Sequence, residues 1–396
     1  MQLTELSSRR RAAYGAVLLF AMASATFLHF GIAALSPILA TEFGLSALQL
    51  GILGTMNNGV AAMGAPFVGA SVDRLGGRQI ALVLIAVSGL SIIGFGLAPG
   101  YAWLLAMSGV NGLAAAGSNP STNHLLSTQI AAGRRGLLMG IKQSGVRVGQ
   151  FLAGALLPLG ALTLGRGPTM VIAGSICLLG IVPFLLAVPA AQRPARPEPR
   201  SVRRPPIGSE VWRLVAFAIL MGTGMSAVLF YTPLYAFEEL GLSVQSAGFT
   251  VGVIGFLGIF ARVAAGPFAE RFRTPAIPLF IMALGSTVSA VAIWGAELFG
   301  AWLMWGGVVA LGLTGAVWNT VANLAIVSTT DSVRTGQASG FLHTAYLTGL
   351  SVGPVLFGAL IEGSDSYRLA WLGVSALFIS AVFVAVRWWA QEERTG

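Results

Sequence analysis

Three cations, Lys142, Arg147 and Arg262, lie inside long apolar runs of the chain, and no Asp or Glu lies deep in any of those runs. Lys142 is the only lysine. Ionisable groups held in apolar surroundings are expensive and point to function with a partner to be named. Without a carboxylate, the partner must be helix carbonyls, water or an anion from outside. The last choice makes the protein a carrier of anions. A guanidinium's planar fork suits a carboxylate, phosphate or sulfonate held by two hydrogen bonds. Gln143, Arg147 and Gln150 share one helix face by the i, i+4, i+7 rule. Lys142 falls about 140° away from Arg147 around the helix. It contacts the same ligand only if the helix bends; otherwise it snorkels to the surface or braces a loop.

Asn119, Asn123, Asn319 and Asn323 add paired amides at i, i+4 spacing, suited either to ligand contact or to helix–helix hydrogen bonding. Tyr346 and Trp318 are polar and aromatic points that could wall a cavity. His29 and His343 titrate near neutral pH and are candidates for carrying a coupled proton, the alternative being hydrogen-bonded packing. Three scattered histidines and a single cysteine, Cys177, show no metal-ligand spacing, and no Walker A motif occurs. The expectation is a non-enzyme with no cofactor and no metal.

The elements that position these residues are membrane helices. Apolar residues make up 55% of the chain and charged residues only 9%, with a mean hydropathy of +0.80. A soluble domain carries roughly 25% charged residues. Twelve apolar stretches of the length that crosses a ~30 Å hydrocarbon layer are expected at 13–40, 47–72, 79–98, 101–130, 137–163, 168–188, 211–237, 245–269, 276–296, 300–328, 337–361 and 368–389. The first is too long for a signal peptide. At ~1.5 Å per residue, Arg147 sits roughly 16 Å and Lys142 roughly 9 Å beyond Gly136, and Arg262 roughly 12 Å from Glu270.

Basic residues collect in alternate loops, at Arg9 to Arg11, Arg74, Arg78, Arg134, Arg135, Arg271, Arg273 and Arg334, which places both termini in the cytoplasm. Opposite loops hold Glu42, Glu238, Glu239, Glu297, Glu362 and Asp365, with Arg166 and Arg368 as exceptions. The net charge of +9 is therefore topological, and a nucleic-acid partner is not expected. Membrane lipids are. Trp388 and Trp389 read as interfacial anchors. A Pro- and Arg-rich segment, 189–209, reads as a cytoplasmic linker between a six-helix bundle at 1–188 and another at 210–396.

The halves repeat. Asp73 and Arg74 align with Glu270 and Arg271 at an offset of about 197; Asn119, Asn123, Gly140 and Gly149 align with Asn319, Asn323, Gly340 and Gly349 at an offset of about 200. Gly69-Ala70-Ser71-Val72-Asp73-Arg74-Leu75-Gly76-Gly77-Arg78 resembles the loop 2–3 signature G-x-x-x-D-R-x-G-x-R of the major facilitator superfamily of secondary transporters. Gly69 is expected to let helices approach closely, and Asp73 to pair with basic groups or a helix end. The resemblance implies an all-α polytopic fold of two pseudo-symmetric six-helix bundles, a monomer in the bacterial inner membrane, and a conformational latch at Gly69, Asp73, Arg74 and Arg78. The degenerate second copy adds Glu270 and Arg271.

Two departures bear on substrate. Ser108-Gly109-Val110-Asn111-Gly112 lacks the helix-four arginine of many proton-coupled members, and the stretch Gly145 to Gly154 lacks the proline of the antiporter signature. The resulting expectation is a secondary carrier of a small organic anion, a carboxylate by the chemistry of its arginines, working by alternating access around a site near the midplane, with proton symport as its coupling. The alternatives are an exporter of amphiphilic drugs or metabolites, and a transport-inactive membrane sensor or scaffold.

Overall fold

The structure is a computed structural model that describes residues 8–130, 135–189, 208–329 and 332–395. Among the described residues it is all α-helix and turn. The first eight helices are α1 (Ser8–Ala34), α2 (Ser36–Phe43), α3 (Ala47–Leu75), α4 (Gly77–Gly96), α5 (Tyr101–Gln129), α6 (Arg135–Leu164), α7 (Arg166–Leu179) and α8 (Ile181–Ala187). The rest are α9 (Ser209–Glu238), α10 (Val244–Ala269), α11 (Ala276–Phe299), α12 (Ala301–Leu313), α13 (Trp318–Thr329), α14 (Ser332–Ser364) and α15 (Tyr367–Thr395). Most of the linker expected at 189–209, and Arg134, lie outside the described residues.

Among the described residues, ten helical segments are long and apolar enough to cross a membrane. α3 and α5 match them in length at 29 residues each, but their Asn, Ser, Thr and Gly lower the hydropathy. Three of the expected continuous spans are broken. α1 gives way to α2 at Leu35, where Pro37 opens the new helix; its ring fits a first turn and not a helix interior. α7 ends at Gly180, just ahead of Pro183. Between α12 and α13 the backbone turns at residues 314–317, the Ala316 amide reaching back five residues to the Leu311 carbonyl.

The chain forms two compact units. One comprises Met1–Ile32 with Met56–Arg200, the other Ala33–Thr55 with Ser201–Gly396. Helices within the first close together through glycines. A Cβ on Gly145 would lie 2.1 Å from the Leu19 carbonyl oxygen, and one on Gly149 2.9 Å from that of Ala23, so α6 lies backbone to backbone on α1. Gly89 and Gly174 do the same for α4 and α7. Small residues at such crossings let the backbones touch, the packing that holds helices together where lipid removes the hydrophobic drive. Buried asparagines in this unit are met internally: Asn57 Nδ2 donates to the Ser108 carbonyl at 3.0 Å and to Asn111 Oδ1 at 3.2 Å, and Asn111 Nδ2 donates to Ser91 Oγ at 3.0 Å.

In the second unit Gly349 and Gly353 on α14 press against the backbone around Ile219 and Thr223 on α9. The Tyr231 hydroxyl lies 2.7 Å from the Ala47 carbonyl and 2.8 Å from that of Pro354, donating to the pair. Room for it comes from Gly51 and Gly358, where a Cβ would sit 2.4 Å from the hydroxyl oxygen. Trp388, expected at an interface with the headgroups, is instead 1% exposed in this unit's interior. Large apolar side chains cover the outer faces, among them Phe67, Leu186, Val263 and Leu298, a surface that suits lipid chains and not water.

Candidate functional site

In the first unit the site is built where α5 meets α6. Asn119, Thr122 and Asn123 fall at i, i+3 and i+4 on α5 and so share a face. Lys142, on α6, is fully buried and points at that face. Its Nζ donates to Asn123 Oδ1 at 2.5 Å, Thr122 Oγ1 at 2.9 Å and Asn119 Oδ1 at 3.3 Å. The three hydrogens of an ammonium thus meet three oxygens, none of them a carboxylate. Gln143 Nε2 donates to the same Asn119 Oδ1, also at 3.3 Å.

Arg147 is 5% exposed, and its Nη1 donates to Gln150 Oε1 at 2.6 Å. The stripe Gln143, Arg147, Gln150 is therefore joined to itself at one end and to α5 at the other. Lys142 and Arg147 go to different partners, as their angular separation on the helix requires. His29 is buried, edge-on to the Phe30 ring at 5.1 Å between centroids and beside Asn57.

The second unit carries its own cluster. Arg262 Nη2, on α10, donates to Asn319 Oδ1 at 3.3 Å. Asn319 and the buried Trp318 open α13 immediately after the backbone turn, so the break between α12 and α13 sets their direction. Trp318 meets Tyr346 of α14 edge to face at 5.3 Å and Phe217 of α9 at 5.7 Å. Tyr346 is also near enough to Arg262 to interact electrostatically. Asn323 is exposed and spends its amide on the Asn319 carbonyl of its own helix. His343 is exposed on α14.

The loop 2–3 signature behaves differently from its expected packing. A Cβ on Gly69 would meet nothing within 4 Å, and the same holds for Gly266, so neither glycine serves close approach here. Asp73 and Arg74 are exposed at the end of α3, and Glu270 and Arg271 are exposed after α10. Gly76, at φ +89°, is the residue that needs to be glycine, because it starts α4 from a backbone conformation L side chains avoid. Arg78 Nε donates to the Val188 carbonyl at 2.8 Å and Nη2 to that of Leu185 at 3.4 Å, tying the start of α4 to the end of α8. A cation on orphan carbonyls at a helix C-terminus is favourable.

Sequence reasoning missed Thr122, although its place between two asparagines one turn apart marked it. It named Arg166 only as an exception to the loop charge bias, whereas its buried Nη1 donates to the Phe95 carbonyl at 2.7 Å and that of Gly96 at 3.2 Å.

Comparison with known proteins matches the family described as Major Facilitator Superfamily to residues 16–330. An uncharacterized MFS-type transporter of Mycobacterium tuberculosis is 24% identical over 89% of this chain and 79% of its own length. The hexuronate transporter of Bacillus subtilis is 23% identical over 89% of this chain and 88% of its own. Among solved structures, a bacterial homologue of the human lysosomal transporter Spinster superposes with a TM-score of 0.74 at 16% identity, covering 96% of this chain and 97% of that one. With helices that span, a duplicated signature and a family match over most of its length, the chain belongs to the Major Facilitator Superfamily and is a multi-pass membrane transporter.

Proposed function

We propose that this protein moves a small organic anion, a carboxylate first of all, across the bacterial cytoplasmic membrane by alternating access and in company with a proton. The observation that carries the reading is the pairing of cations inside the apolar helices, Lys142 and Arg147 buried and Arg262 half-buried, with neutral amides. Lys142, Arg147 and Arg262 meet Asn119, Asn123, Gln150 and Asn319, and no acidic residue occurs anywhere between Asp73 and Glu198. A buried positive charge is costly unless a negative one joins it. An anionic substrate supplies that charge in transit, and the guanidinium fork selects planar acids. The sugar acid named for the Bacillus relative is of this class.

Both termini are assigned to the cytoplasm and the halves 1–188 and 210–396 to the two moving bundles, joined by 189–209. The test is a thermal-shift screen of the purified protein with glucuronate, acetate, phosphate, methanesulfonate, a neutral sugar and a cationic amphiphile. Ligand that binds the folded state raises the melting temperature by mass action. Stabilisation by glucuronate or acetate, lost in Arg147→Gln and in Arg262→Gln, supports the reading. Stabilisation by the cationic amphiphile alone overturns it in favour of an exporter.

A further inference from the structure

We propose that Lys142 is the site at which this transporter binds and releases a proton, caged by Asn119, Thr122 and Asn123; the assignment rests on the anion-carrier reading and names where its co-transported proton rides. An ammonium has three hydrogens, and three oxygens stand within 3.3 Å of Nζ to take them. When the proton leaves, the amine keeps two hydrogens and gains a lone pair that needs a donor. The two amide oxygens cannot supply one. Thr122 can, because its hydroxyl now donates to the Ser118 carbonyl at 2.6 Å, and a turn about Cβ–Oγ1 redirects that hydrogen to Nζ, 2.9 Å away. One hydroxyl rotation thus satisfies the cage in both states. A guanidinium at the same place would keep its proton.

Among the described side chains, the charged and titratable groups on the helices around the cage are Arg10, Arg11, Tyr14 and His29 on α1, Asp73 and Arg74 on α3, Arg78 on α4, Tyr101 and His124 on α5, Arg147 on α6, and Arg166 and Cys177 on α7. The one acid among them, Asp73, is exposed at the end of α3, and the oxygens that Nζ touches are all neutral, so no ion pair among the described residues locks Lys142 in its charged form. The link to substrate is Asn119 Oδ1, which Lys142 shares with Gln143. Gln143 stands one turn from Arg147, so an anion held by that pair changes the company of the oxygen that Lys142 uses. The step itself is a proton transfer. The Nζ lone pair takes a proton from water on one side, forming an N–H bond, and the bond breaks to water on the other side with its electron pair returning to nitrogen. One proton with one monovalent anion leaves the loaded carrier with the same net charge as the empty one, so the membrane potential does not oppose entry.

Because Lys142 is the only lysine, the full-length protein grown with nitrogen-15 lysine and placed in lipid nanodiscs gives a single side-chain nitrogen resonance. The expected result is a change from ammonium to amine within the pH range over which the protein stays folded, with the midpoint moved upward by glucuronate or acetate. Thr122→Val should move the midpoint to the acid side by about one pH unit, since losing the oxygen costs the charged donor more than the neutral one. A resonance that remains that of an ammonium at every pH overturns the proposal. If it does so while glucuronate or acetate still raises the melting temperature, the anion carrier stands and the proton site falls. If Lys142 titrates but no anion shifts either its midpoint or the melting temperature, the proton site stands and the anion reading falls.

Discussion

Arg166 shows how one residue can reverse the meaning of its position. It breaks the charge bias of the loops, yet its guanidinium closes the end of α4 by donating to two backbone carbonyls in a buried setting. Arg166→Ala leaves those oxygens without their donor, and a buried unsatisfied acceptor costs about 1–3 kcal/mol. Unfolding of the purified protein should show that loss, with no change in which anion stabilises it. Arg262 makes a different case. Lysine there would keep the charge but lose the fork that reaches Asn319 Oδ1, so Arg262→Lys should weaken anion affinity about tenfold, some 1.4 kcal/mol, measured by titration calorimetry. The charges of both residues were legible in the sequence. Their partners were not, because they lie on other helices, at separations of 71 and 57 residues.

At the scale of elements, the glycines divide into two kinds that composition alone cannot separate. Gly145 faces the Leu19 carbonyl, where a side chain would meet fixed backbone at 2.1 Å. Gly145→Val should therefore push α6 off α1 and cost more than about 2 kcal/mol, read as a lowered melting temperature in nanodiscs. Gly69 and Gly140 are in α-helix with open space where a Cβ would be. Gly69→Ala should be neutral or stabilising by about 0.5–1 kcal/mol, because alanine loses less backbone freedom on entering a helix. If Gly69→Ala also left transport unchanged, the glycine of the loop 2–3 signature would have no packing role in any conformation of the cycle. The internal repeat was legible from matched Asn, Arg and Gly positions, but it overstated the likeness of the sites. The counterpart of Lys142 at the same offset is Leu342, so Asn323 has no ammonium to hold and turns to its own helix.

For the molecule as a whole, the informative surface outside the spans is acidic. Burial, then the carboxylates of Glu297 and Glu238, raise the Glu239 carboxyl above its ordinary value. The sign follows from linkage: a carboxyl that is harder to ionise in the folded state destabilises that state when ionised, and the penalty, full above the folded-state value, is gone once pH has fallen below the ordinary value of the unfolded chain. Glu239→Gln should raise the melting temperature at neutral pH by only ~1 °C, since the group is solvent-screened, and the difference should disappear in acid, where every carboxyl is protonated. A constant difference at all pH values would place the effect in packing instead.

Membrane class, the approximate positions of the apolar stretches and the deep cations were determined by the sequence alone, because each depends on the solvent around a residue or on neighbours within a few turns. Hydropathy over about 20 residues decides whether a segment can enter lipid, and Lys142, Arg147 and Arg262 could be seen there without knowing what they touch. The fold decided what is non-local: that Thr122 completes the Lys142 cage, that Arg78 clips α8, that Trp388 is interior, and that residues 33–55 belong to the unit formed by the second half of the chain. A hydrogen bond needs its atoms within about 3 Å, and sequence spacing sets that distance only along one helix. Between helices it is set by which backbones can touch, which here is written in the glycines and read only once the helices are packed.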